Sequence, residues 1–504
     1  MEKSTITGKS SEQGEYKREL SSPLYYSIHA HFYQPRREDP LTGVIPNEEG
    51  AAPFANWNER IHAECYLPNA ELGNFSHISF NVGPTLMDWM AKHHARTFQS
   101  IVTQDRLNVD RYGVGNAMAQ PFNHTILPLS GYQDKVTQIY WGIAAFERAF
   151  GRKPQGMWLP ETAVDMETLE TLADHDIEFT ILAPWQAETP QLDASEPYRV
   201  HLPSGRQISV FFYHPELSAG ISFDPALTVN ADHFVRFNLF RRINPEKAQQ
   251  GEPQLILLAS DGELYGHHQP YRELFLARLV DGAGGLSGLT STYPALWLKK
   301  HPPRKAVSIL ERTSWSCHHG IKRWTGECNC TPGDRKWKSA LHRALSQLAS
   351  DLDRLFASQA GRYLSDPWAL RRKYIHVMLG ERTAADLIAE HAGRTLPQEA
   401  SYRLQLLLEA QKERQFMFAS CGWFFDDFQR IEPRNNVASA AMAVHLARLA
   451  TGIDLEPALL PALARVTSRK TGLRADAVFK SHARQSAAFL PDTRSFLQRR
   501  ATPG

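Results

Sequence analysis

Short apolar runs punctuate the first 300 positions of the chain. Tyr25 to Phe32, His77 to Val82, Gly156 to Glu161, Phe179 to Leu182, Ile208 to Tyr213 and Leu255 to Ala259 have strand length. Leu255-Ile256-Leu257-Leu258-Ala259 is unbroken in hydrophobicity, which predicts a parallel strand covered on both faces. Helical stretches lie between the runs. Thr85 to Lys92 starts one, and Met166 to Asp174 carries Leu169, Leu172 and Ala173 on one side. This alternation predicts an α/β protein with a parallel sheet and crossover helices. Periodicity leaves open whether the sheet closes on itself.

The pattern changes after Pro302-Pro303. Leu341, Leu345, Leu348, Leu352 and Phe356 recur at helical spacing, as do Leu404, Leu407, Leu408, Gln411 and Gln415, where the last two turn the stripe polar. Ala438 to Ala450 is Ala-rich. These segments predict amphipathic helices packed as a bundle. The organisation expected is a polar, disordered tail at 1–20, an α/β catalytic unit at 21–300, a Trp- and Cys-rich loop at 301–335, a helical unit at 336–484 and a frayed end at 485–504. The insertion from Glu38 to Gly73 has few strand cues and reads as a loop, at the site or simply exposed to solvent.

Chemistry enters where apolar runs stop. Asp261-Gly262-Glu263-Leu264-Tyr265-Gly266 follows the run ending at Ala259, and the carboxyl ends of strands are where α/β proteins place ligands. Gly156-Met157-Trp158-Leu159-Pro160 likewise leads into Glu161. Two carboxyl groups at strand ends can work as a pair on a glycosidic bond; each alone reads more readily as a helix-start acid. Ser27-Ile28-His29-Ala30-His31-Phe32-Tyr33-Gln34-Pro35 places His29 and His31 on one strand face. They suit a metal, a polar ligand, or a plain wet face.

Together these segments resemble glycoside hydrolase family 57. The resemblance rests on the His-x-His-x-x-Gln-Pro strand, on Trp-Leu-Pro-Glu ending at Glu161, and on Asp261-Gly262-Glu263-Leu264-Tyr265-Gly266-His267. Gly115 to His124 is similar to a further signature, although its usual acidic position is not obvious. Ser291 to Pro294 through Thr313 to Trp315 is similar to the stretch after the acid/base. The resemblance implies a seven-stranded (β/α) barrel followed by a helical domain. It implies Glu161 as nucleophile and Asp261 as general acid/base, with ~5 to 5.5 Å between the carboxyls for a retaining mechanism. Its implied substrate-binding residues are His29, His31, Gln34, His124, Trp158, Glu263, His267, Trp315, Trp423 and Asp426 or Asp427, with Glu263 in a supporting role and the Trp423 segment reading equally as a buried aromatic knot with surface acids. The implied substrate is an α-glucan or other oligosaccharide, cleaved by water or passed to a sugar acceptor.

Composition narrows the alternatives. The 56 Lys and Arg against 54 Asp and Glu leave a net charge of +2, no field for nucleic acid and no polybasic membrane patch. No run approaches ~18 apolar residues, and the first 20 positions lack a signal-like core, so a cytoplasmic protein is expected. No cofactor and no catalytic metal is expected. Five Cys make no disulfide framework. Cys317-His318-His319 and Cys328-Asn329-Cys330 form a metal set, an inert loop or a redox-linked loop, at spacings unlike Cys-x-x-Cys arms. Two rival functions remain: a metal-dependent carbohydrate deacetylase using His29, His31, Asp261, His267 and His268, and a carbohydrate-binding protein without turnover.

Overall fold

The computed structural model describes residues 24–189, 191–326 and 328–492. The expected tail at 1–20 and positions 493–504 of the expected frayed end lie outside the described residues. Residues 485–489 continue the helix Ala475–Phe489, and Leu490 is buried beyond it.

Two hydrogen-bonded sheets carry the α/β part. In the first, β1 (Leu24–Phe32) pairs from Leu24 to His31 with the whole of β7 (Gln254–Asp261). Its other edge pairs with β8 (Leu289–Ser291) near its start and with β2 (Ser79–Val82) near its end; β2 then pairs with β3 (Ala117–Met118). All of these pairs are parallel. The second sheet runs β4 (Phe179–Leu182), β6 (Gln207–Phe212), β5 (Tyr198–His201) and β9 (Lys305–Ala306). Here β5 and β6 form an antiparallel hairpin around Gly205, whose φ is +85°. The expectation of purely parallel strands fails at this hairpin, because β5 buries only alternate residues and shows no apolar run.

Parallel bridges Ala119↔Met157 and Gly156↔Phe179 link the two sheets, and the His214 N–H donates to the Leu257 carbonyl at 2.7 Å. The expected strand at 156–161 is therefore reduced to two bridging residues. Gly156 packs so close to the Phe179 ring that a Cβ would lie 2.3 Å from it, and Pro160 has no N–H to give a ladder.

Side chains alternate as period two requires. Tyr26, Ile28, Ala30, Phe32, Ile256 and Leu258 pack outward into the main core, while Leu255, Leu257 and Ala259 join Trp158, Phe179, Ile181 and Phe211 in a second, inner cluster. Each fully buried Leu or Ile stabilises the fold by about 1.5–3 kcal/mol. The same alternation carries Asp261 to the inner face, in register with His31.

The helices Lys336–Ala360, Gln398–Phe416, Ile431–Thr451 and Ala475–Phe489 share a separate core built on Leu341, Leu345, Leu348, Leu404 and Leu408. Gln411 and Gln415, expected on a polar face, are both buried. Gln415 donates to Asp134 and accepts from Gln138, and Gln411 accepts from Arg371. They belong to a polar seam in which Asp134 meets Arg371 at 3.0 Å and Arg414 at 2.8 Å, and Arg36 clasps Glu413 with two hydrogen bonds. This seam docks the helical unit on the loop that leaves β1, through Arg36, and on the first turns of the helix Tyr132–Phe150, through Asp134 and Gln138. Among the described residues no helix is long and apolar enough to cross a membrane.

Candidate active site

Glu161 sits in a one-turn 3₁₀ segment, Pro160–Thr162, before the helix Met166–Asp174. Asp165 caps that helix by accepting from the Thr168 N–H at 2.8 Å. Glu161 itself has φ +58° and Thr162 has φ +48°, two consecutive left-handed residues that are not glycine. Each such residue costs of order 1–3 kcal/mol and persists only where its surroundings hold it. Here Thr162 exchanges hydrogen bonds with Gln186, and the Trp315 N–H donates to the Glu161 carbonyl at 3.0 Å. The strain aims the Glu161 carboxylate at two donors: Ser316 Oγ at 2.6 Å and Trp315 Nε1 at 3.0 Å from Oε2. Burial leaves the Glu161 pKa raised on balance, and these two donors and the Arg323 charge offset only part of that rise.

Asp261 ends β7. Its side chain reaches water, yet protein crowds it on enough sides that burial, together with the charge of Glu161, lifts its pKa to about 7. The two carboxyl groups therefore lie within reach of one another's field, and their environments push them apart: Glu161 is furnished with donors for its ionised form, Asp261 is not. Gly262 follows because the Phe32 ring leaves no room, with a Cβ falling 2.3 Å from it. The chain then turns through Gly262–Leu264 and buries Glu263, which still feels the charge of Asp261. Glu263 accepts from Tyr66 Oη at 2.7 Å and the Tyr33 N–H at 3.0 Å, and burial lifts it to about 8.

Behind the carboxyls lies a stack of rings. His29 and His31 stack on Trp158 at 4.5 and 5.3 Å, and Tyr33 stacks on His124 at 3.9 Å. His29 bonds Ser79 and Asn81; His31 bonds Asn81 and shares a 3.0 Å contact with His124, whose Nδ1 meets Ser420 of the helical unit at 2.6 Å. Burial lowers His29 to about 3 and His31 to about 4, so both are neutral. A row of aromatic edges, Trp158–Trp315–Tyr213–Trp185, runs outward to Trp185, which is 42% exposed.

These placements correct several expectations. His29 and Trp158 are fully buried and His31 and His124 nearly so, with their imidazole nitrogens already engaged; they brace the site floor rather than present a face to a sugar. Glu263 braces the Tyr33 backbone. His267 bonds Glu64 at 2.5 Å, beside Trp57. Gln34 accepts from Arg37, and its carbonyl accepts from Thr85. Trp423 is buried in the helical core, donating to the Lys338 carbonyl, and Asp426 pairs with Lys470; neither shares a contact with the two carboxyls. Of the expected substrate-binding residues, Trp315 hydrogen-bonds Glu161 directly. The insertion after Glu38 is loop as far as residue 48 and helical at 49–51 and 57–71, and its Glu64, Tyr66 and Asn69 clamp the segment 263–267 from behind. Ser316, Arg323, Tyr33, Trp185 and Tyr213 escaped the sequence reading. Trp185 and Tyr213 do follow strand ends, a signal that was available.

Fold and site together define an α/β protein with two carboxyls, Glu161 and Asp261, close enough that the charge of one acts on the other, and a helical unit docked beside the sheets. The sequence profile described as glycosyl hydrolase family 57 matches residues 46–308, more than half of the chain, and the protein belongs to that family. Residues 334–491 match a domain of unknown function, DUF3536. Alpha-amylase 1 of Dictyoglomus thermophilum is 24% identical over 256 residues, 49% of this chain and 32% of its own length, so the chain spans about a third of that relative. Among solved structures, an exo-type maltose-forming amylase from Pyrococcus sp. ST04 aligns over 91% of this chain and 88% of its own, with TM-score 0.72 and 15% identity. A branching enzyme of Pyrococcus horikoshii aligns over 90% and 96%, with TM-score 0.60 and 15% identity. At that identity the likeness is one of fold.

Proposed function

We propose that the protein is a retaining glycoside hydrolase or transglycosylase acting on α-linked glucans, with Glu161 as nucleophile and Asp261 as general acid/base. The opposed environments of the two carboxyls carry this reading. Asp261, with its pKa near 7, holds a proton to give to the departing glycosidic oxygen. Glu161, steadied as a carboxylate by Ser316 and Trp315, attacks the anomeric carbon and forms a glycosyl-enzyme. Asp261, now ionised, takes a proton from water or from a sugar hydroxyl, and that oxygen displaces Glu161 with net retention. Trp315 and Trp185 offer apolar edges for sugar C–H faces, with Tyr213 buried between them as their support.

The seven segments β1, β2, β3, 156–157, β4, β6 and β7 are consistent with a barrel closed at the His214–Leu257 hydrogen bond. In this reading residues 21–300 form the catalytic unit, 301–335 the loop over the site, and 336–484 the helical unit. The deacetylase alternative is disfavoured because His29, His31, Asp261, His267 and His268 do not gather as a ligand group among the described residues.

The test is a panel of α-glucans and aryl α-glucosides. Glu161→Gln is expected to abolish turnover while the far-UV spectrum stays native. Asp261→Asn is expected to spare the first step on substrates with very good leaving groups. An active Glu161→Gln enzyme, or equal slowing of good and poor leaving groups by Asp261→Asn, overturns the assignment.

A further inference from the structure

Cys317, His319, Cys328 and Cys330 come from a loop with little regular structure, yet their ligand atoms all lie within 4.8 Å of one another. Cys317 Sγ and Cys328 Sγ are 3.3 Å apart; His319 Nδ1 is 3.2 Å from Cys328 Sγ and 3.4 Å from Cys330 Sγ. All three thiols are free. Four atoms around one tetrahedral zinc, with bonds of ~2.3 Å to sulfur and ~2.0–2.1 Å to nitrogen, stand about 3.6–3.8 Å apart. These three separations need only a few tenths of an ångström of expansion to reach that size, and the remaining pairs, all within 4.8 Å, need a contraction of roughly 1 Å at most.

We propose that Cys317, His319, Cys328 and Cys330 bind one zinc ion as a closed structural site. Three thiolates and an imidazole in a tetrahedral array select zinc over the oxygen-seeking cations, and four protein ligands leave no position open for catalysis. The surroundings suit a centre of net charge −1. Arg323 donates to the Cys330 carbonyl, Arg335 donates to the Cys328 carbonyl, and Lys338 is buried alongside, bonded to Thr331. The Cys330 N–H points at Cys328 Sγ at 3.4 Å, so a neighbouring thiolate already has a backbone donor. Gly320, at φ +75° and with its Cβ position 2.4 Å from the Arg312 carbonyl, makes the turn that follows the first ligand pair.

The site has work to do in this fold. The segment between Ser314 and Lys336 contains one helix of four residues, Lys322–Thr325, too short to hold itself. A metal fastens that segment between the docked helix Lys336–Ala360 and the Trp315-Ser316 pair that immediately precedes Cys317. The zinc thus fixes the two donors on Glu161. This last step rests on the proposed role of Glu161; the metal site does not.

The experiment uses the full chain, purified from zinc-supplemented cells without chelator. Elemental analysis is expected to find one zinc per chain. Thiol titration is expected to find Cys317, Cys328 and Cys330 protected until a chelator is added. Cobalt exchange is expected to produce the intense visible bands of a tetrahedral thiolate site. His319→Gln, at an exposed position, and Cys330→Ser should each drop the metal-to-protein ratio towards zero, while Cys421→Ser leaves it at one. Peptide mapping that finds a Cys317–Cys328 disulfide, metal that washes out on dialysis, or full zinc retained in both ligand variants overturns the proposal. Zinc present in an enzyme whose Glu161→Gln variant is fully active keeps the metal site and rejects the nucleophile; absence of zinc with a dead Glu161→Gln variant does the reverse.

Discussion

Removing one hydroxyl should move the pH profile of the whole enzyme. Ser316 Oγ donates to Glu161 Oε2 at 2.6 Å, the shorter of the two side-chain hydrogen bonds that favour the ionised nucleophile. A hydrogen bond to a charged group contributes about 1.5–3 kcal/mol. Glu161 is partly open to the cleft, so water replaces part of what Ser316→Ala removes, and the lower end applies. About 1.5 kcal/mol corresponds to roughly one pH unit in the protonation of Glu161. The sign follows from which form is bonded: losing a donor to the carboxylate raises the pKa of the acid, so the acid limb of kcat/KM moves up by about one unit. The basic limb, set by the protonated form of Asp261, stays in place. Trp315→Phe removes the second donor at 3.0 Å but keeps an aromatic edge, and should move the same limb by less. The assay is kcat/KM on an aryl α-glucoside across the pH range, with Ser316→Thr as the conservative control that keeps the hydroxyl. An acid limb unmoved in Ser316→Ala, with activity lost evenly at every pH, refutes the claim that Ser316 acts through the charge on Glu161.

Other outcomes follow from the same geometry. Activity should fall as pH rises through about 7, where Asp261 loses the proton it must donate, and initial rates on poor leaving groups measure this directly. Because Asp261 binds its proton more tightly folded than unfolded, its contribution to stability is lost as pH rises from the usual carboxylate range to about 7. Asp261→Asn should therefore raise Tm more at pH 8 than at pH 5, by differential scanning calorimetry. Gly262→Ala drives a methyl into the buried Phe32 ring and should cost about 1–3 kcal/mol in urea unfolding, with activity falling as Asp261 shifts. Asp134→Ala leaves buried Arg371 and Arg414 with only Asp353 and should cost about 3 kcal/mol, the lower end of the range for a broken buried pair; Arg371→Met in the same chain should restore part of it.

Much of the α/β framework was legible because burial leaves a local record. β1, β4, β6 and β7 are written as apolar runs of strand length, and the helices Met166–Asp174 and Lys336–Ala360 bury a face whose period is written in consecutive residues. β5 and β9 were not legible, since one is half-exposed and the other is two exposed residues at an edge. The long insertion after Glu38 was mistaken for a loop because its helices are short, interrupted and held from outside by the segment 263–267.

The sequence by itself determined which carboxyls stand at strand ends. Period two sends Asp261 inward from Leu255, Leu257 and Ala259, and the run before Glu161 stops at a proline. Tertiary structure alone decided what surrounds them. Ser316 lies 155 positions from Glu161, and Ser420 lies 296 positions from His124, so no local pattern joins them. The same holds for the ring stack: His29, His31 and Trp158 have the composition of a sugar-binding face, but packing of strands against one another turned them inward and left Trp315 and Trp185 at the rim. A side chain's type and spacing follow from the chain, whereas its exposure, partners and charge state follow from which distant segments close over it.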